Sequence, residues 1–169
     1  MSYNSDKLRD MIHYIVDISE GGELGKTKLN KILWFSDREM FLRFGASITG
    51  ETYLRFPQGP VSQHILEILR VLQDDRKVLI RKKKRFDYDQ YVYLSLVDPD
   101  ISTFSAPEID VINRQVAWIL PMKAEEISTI SHGRAWQITE EFQEIPMFSV
   151  LAEKVRDPLP DDLAWALAE

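Results

Sequence analysis

Proton transfer and metal ligation near neutral pH fall most readily to histidine, and the 169-residue chain has three: His13, His64 and His132. None stands in an H-E-x-x-H or H-x-x-x-H arrangement, so a zinc site would need carboxylates converging from elsewhere in the fold. With no cysteine, disulfides, thiolate metal sites and cysteine nucleophiles are excluded. Asp37 and Glu39 are two apart on an expected helix and face different directions, which argues against a general acid and base pair. The G-x-S-x-G elbow of serine hydrolases is absent. Residues 19–27 carry two glycine features before Lys26-Thr27, but a phosphate loop would need glycine where Glu20 sits. No catalytic, cofactor-binding or metal-ligating residue is assigned, and binding is expected rather than catalysis. A hydrolase with an unrecognised site is the weakest alternative.

Charge is the other source of chemistry. The net charge is −6, yet the stretch 76–85, RKVLIRKKKR, holds seven of the 21 basic residues and no acid. The rest of the chain then carries 14 basic and 27 acidic residues, a net of −13. The patch Arg81, Lys82, Lys83, Lys84 and Arg85 could contact phosphates as the wing of a winged helix, or dock a protein. The plainest expectation is a charged strand edge that blocks edge-to-edge association. Stacking platforms for single strands are not interleaved with the lysines, since only Phe86 and Tyr88 lie near. Any nucleic-acid binding is therefore expected to be weak.

The elements that position these residues follow from periodicity. Ser5 or Asp6 is placed to cap a first helix with Leu8, Met11, Ile12, Ile15, Val16 and Ile18 on its apolar stripe, ended by Gly21-Gly22. Thr27 is placed to cap a second helix, apolar on nearly all faces through Leu29, Ile32, Leu33, Trp34, Phe35, Met40, Phe41, Leu42 and Phe44; such a helix is buried centrally. Gly45 supplies a left-handed C′ residue. A polar surface loop is expected over 45–58, and Gly59-Pro60-Val61 is expected to restart a helix running to residue 73. Lys77–Arg81 and Tyr91–Val97 read as a β-hairpin. A capping box at Ser105–Glu108 opens a helix stopped by Pro121, and a short helix covers Ala124–Ser131. The fold class is mainly α (α+β), a compact helical domain over 1–145 with one hairpin near 77–97. A tail at 146–169 is expected to pack a short helix, Leu163–Ala168, on the domain.

The ordered set KLNKILWFSDREMFLRFGASITGETYLRFPQGPV, with a later Ser131-His132 and Trp136, resembles the Panacea (SocA-like) antitoxin domain family over roughly residues 5–140. The carrying pieces are Lys28-Leu29…Leu33-Trp34-Phe35-Ser36-Asp37, Gly45–Glu51 and Gly59-Pro60-Val61. The resemblance implies a protein that neutralises a cognate toxin by direct contact, encoded beside it in a bacterium or phage. In one branch it implies delivery of that toxin to an AAA+ protease. No separate DNA-binding module is expected, and autoregulation through one is not expected either. Asp37, Gly59, Pro60, Val61, His132 and Trp136 are read as structural, with His132 and Trp136 clamping the last helix onto the central one. Partner contact is assigned to Thr49, Glu51, Tyr53, Arg55 and Gln58, because tyrosine and arginine are common interface anchors. A winged-helix-like nucleic-acid binder using 76–85 is the alternative. The N-terminus lacks a signal-peptide pattern and no apolar run is long enough to span a bilayer, so a cytoplasmic location is expected, in a bacterial or phage-infected cell.

Overall fold

Helix α2, Gly25–Phe44, is the axis of the fold. The computed structural model describes residues 2–20, 23–85, 88–154, 160, 167 and 168. Leu29, Ile32, Leu33, Trp34 and Met40 of α2 are buried on different sides, as expected for a helix surrounded by others; of its apolar residues only the last, Phe44, turns out to solvent. Gly45 ends it at φ 77°, its N–H donating to Phe41 O at 2.8 Å. The start differs from expectation. The helix opens at Gly25, so Thr27 lies within the first turn, and Leu24 precedes it without a side-chain cap.

Around α2 pack α1 (Ser5–Ile18), α4 (Ala106–Ile119), α5 (Ala124–Ile130) and a 3-10 helix, Met147–Lys154. The cap of α1 is Asn4, one residue before the candidates, accepting from Lys7 N at 3.0 Å. The capping box of α4 is present: Glu108 accepts from Ser105 N at 2.8 Å, and the helix ends before Pro121. The 3-10 helix is the first part of the expected tail; it packs on α2 and on α6 (Arg134–Ile138), with Arg38 paired to Glu153. The Gly21-Gly22 stop and most of the expected helix at Leu163–Ala168 lie outside the described residues.

Among the described residues two antiparallel sheets complete the fold, which is mixed α+β and mainly helical. In one, β1 (Tyr53–Phe56) lies between β2 (Gly59–Ser62) and β5 (Glu144–Ile145), with Tyr53 opposite both Ser62 and Ile145. Gly59-Pro60-Val61 is thus an edge strand and not the start of a helix; α3 begins at Ile65 and runs to Asp74. Proline is tolerated there because an edge strand leaves one row of backbone groups unpaired. The other sheet is the hairpin of β3 (Val78–Arg85) and β4 (Tyr88–Ser95). The basic run is itself strand, longer than the expected Lys77–Arg81, because the β-ladder continues through the lysines; Phe86 lies outside the described residues. The base of the hairpin is held by His13 of α1, whose Nε2 is 3.0 Å from Val97 O.

Candidate partner-binding surface

Asp37 is fully buried on α2 and accepts from four donors: Ile48 N at 2.7 Å, Thr49 N at 3.0 Å, Thr49 Oγ1 at 2.6 Å and Tyr53 OH at 2.8 Å. A buried carboxylate without partners would be strongly unfavourable, and the segment 48–53 wraps around this one to supply them. Burial pushes the Asp37 carboxyl up from its ordinary value while the four donors pull it back. Burial, and then the Asp37 charge, pushes the Tyr53 phenol well up, so it stays a donor. Glu51 continues the network outward, accepting from Thr52 N at 2.7 Å and lying 3.0 Å from His64 Nδ1, on which the exposed Tyr3 stacks at 4.3 Å.

Two turns earlier on α2, Asn30 accepts from Ser62 N at 3.0 Å, and Lys31 donates to Pro60 O at 2.9 Å. Lys31 is 1 % exposed, and burial lowers its pKa to about 7. Gly59 passes so close that a Cβ there would sit 2.7 Å from Lys31 Nζ and collide with Ser131 Oγ; its φ is +98°. Ser131 donates to Ser128 O at 2.6 Å. Both side chains thus donate to backbone carbonyls, Lys31 to strand β2 and Ser131 to the end of its own helix α5. Next to them the His132 ring stacks on Trp136 at 4.0 Å, and Trp136 donates to Phe56 O at 2.9 Å. Burial first, then the charges of Lys31 and Arg55, lower the His132 pKa. Asp37, Gly59, Pro60, His132 and Trp136 therefore meet around α2 and β1–β2; Val61 is half-buried on the same strand.

The residues expected to meet a partner divide. Thr49, Glu51 and Tyr53 are buried, because the Asp37 carboxylate draws their segment inward, and they cannot present side chains to a partner from this fold. Arg55 is half-buried, its guanidinium 4.3 Å over the Trp136 ring and donating to Thr139 O at 2.9 Å; Gln58 is exposed at the β1–β2 turn. Beside them lie two exposed residues that sequence reasoning missed, Ile138 and Phe142. Phe142 has φ +64°, a conformation that is an outlier for a bulky residue, fixed by its N–H donating to Arg55 O at 2.8 Å. Its ring is 57 % exposed and meets Phe56 edge-on at 5.3 Å. Arg55, Phe56, Gln58, Ile138 and Phe142 form a rim over the buried network. Of the basic patch, Arg81, Lys82, Lys83 and Lys84 are exposed along β3, away from the rim, and Arg85 is the last residue of that strand.

A family model described as antitoxin SocA-like, Panacea domain, matches residues 29–137, from the first core leucine of α2 to α6. Comparison with curated proteins and with solved structures finds no match. The matched span holds nearly every member of the network just described: Asn30, Lys31, Asp37, Thr49, Tyr53, Gly59, Pro60, Ser131, His132 and Trp136. On that match the chain belongs to the SocA-like antitoxin family, as a Panacea-domain protein.

Proposed function

We propose that the protein is an antitoxin that neutralises a cognate toxin by direct protein–protein contact, and that the toxin seats on the rim formed by Arg55, Phe56, Gln58, Ile138 and Phe142. The observation that carries the rim is Phe142. An exposed aromatic held at φ +64° on a backbone tied to β1 is strained, and strain of this kind concentrates where a side chain must be aimed. The rim has the composition of an interface centre, with aromatic, aliphatic and arginine side chains on a rigid base. Family membership supports a toxin as the partner. The test is co-expression with the product of the neighbouring gene, followed by growth and co-purification. Growth is expected to be rescued by the wild-type chain and lost with Phe142→Gly or Ile138→Ser. Following toxin level with and without the host AAA+ proteases separates simple inhibition from delivery to a protease.

A further inference from the structure

A shallow trough of about 360 Å3 runs between α3 and the hairpin. One wall is the outer face of α3, where Leu66 is 59 % exposed and Arg70 is exposed; the floor includes Ile80, Tyr91 and Tyr93. Alternation along β3 puts Lys82 and Lys84 on the same face as Ile80, farther out. Lys82 lies opposite Tyr91 in register, its Nζ 6.0 Å from the ring centre. Lys26 and Tyr91 line both this trough and a neighbouring depression of about 650 Å3, which continues to Lys123. An apolar strip is thus bordered by Lys26, Arg70, Lys82, Lys84 and Lys123, with Asp74 and Glu23 as the acids of its lining. On a chain of net charge −6 this is a local reversal of sign.

The geometry points to a docking site for an acidic, amphipathic peptide segment of a partner protein. Its aliphatic or aromatic side chains seat on Leu66, Ile80 and Tyr91, and its carboxylates face Lys26, Arg70 and Lys84. Edge protection accounts for lysines on a strand but not for an exposed leucine and arginine on the facing helix. A nucleic acid fits less well. Tyr93 is buried, its phenol pushed up to about 12 by that burial, so among the described residues of the lining Tyr91 alone offers an exposed ring, and the rest of the apolar lining is aliphatic. The site shares no residue with the rim and does not rest on the toxin assignment.

The probe is a fluorescein-labelled 12-residue peptide alternating Leu or Phe with Asp or Glu, titrated by anisotropy with the full chain. Binding in the micromolar range is expected. It should weaken at least tenfold with the double change Arg70→Glu and Lys84→Glu, with Leu66→Ser, and with an Asn/Gln version of the peptide, while the Tm of each variant stays at the wild-type value. Absence of binding, or binding indifferent to these changes, overturns the site. Displacement of the peptide by a 12-nucleotide single strand at equal or lower concentration assigns the trough to nucleic acid instead. A dimer in sedimentation equilibrium that Leu66→Ser dissociates assigns it to a second copy of this chain, and equally overturns the proposal.

Discussion

Single buried polar atoms carry much of this fold's specificity. Asp37→Ala leaves the Ile48 and Thr49 N–H groups and the Thr49 and Tyr53 hydroxyls without their acceptor. Each orphaned buried group costs about 1–3 kcal/mol, so a loss of at least about 3 kcal/mol is expected in urea denaturation; an unchanged midpoint would contradict the four-donor assignment. Gly59→Ala meets both a φ of +98° and the Ser131 and Lys31 side chains, and a loss of about 2–4 kcal/mol is expected. Lys31 gives a pH signature. Its pKa is about 7 in the fold against 10.5 as the reference value, so between those pH values the unfolded chain binds more protons and stability rises with pH. Below pH 7 both states are protonated and the burial penalty is felt in full. The rise amounts to about 5 kcal/mol, at about 1.4 kcal/mol per pH unit. Lys31→Met should flatten the stability curve between pH 7 and 10.5 and lie above wild type at pH 6; parallel curves for the two proteins would contradict this.

At the level of elements, the segment 45–58 changes role from loop to structural wrap. Tyr53→Ala should destabilise the protein severely, by about 3–5 kcal/mol, because a buried aromatic and a donor to Asp37 are lost together. Phe142→Gly should leave Tm unchanged or raise it, since glycine accepts φ +64° without strain. Helix periodicity exposed most of the architecture in advance: the stripe of α1, the all-round burial of α2, the Gly45 stop and the Ser105–Glu108 box are local signals written in side-chain type. What stayed hidden depends on distant partners. Gly59-Pro60 has the local chemistry of a helix start, and only pairing with β1 makes it a strand. Thr49, Glu51 and Tyr53 have the composition of a surface loop, and only Asp37, 12 to 16 residues away, turns two of them inward by direct bonds. Lys31, a cation within an apolar helix, is by contrast a local signal of a buried polar contact. Nothing local marks Phe142, because its backbone angle is set by a bond to Arg55 across the sheet.

Across the whole molecule, the motif residues Asp37, Gly59, Pro60, His132 and Trp136 are engaged in holding the fold, and on the proposed reading recognition falls to side chains around them. The rim and the trough draw on different residues and carry different chemistry, one aromatic and exposed, the other apolar with a basic border. Charge distribution makes a further demand. With −6 overall and five of the seven basic residues of 76–85 on one strand, binding to duplex DNA should be weak and sequence-indifferent, falling about tenfold or more between 50 and 200 mM salt. A gel-shift series that retained tight, sequence-selective binding at 200 mM would favour the nucleic-acid reading. The central claim is tested most directly by calorimetric titration of the purified chain with the neighbouring gene's toxin, wild type against Phe142→Gly. The account predicts a stoichiometric complex that Phe142→Gly weakens at least tenfold while its Tm is kept. Equal affinity for the two proteins would contradict it.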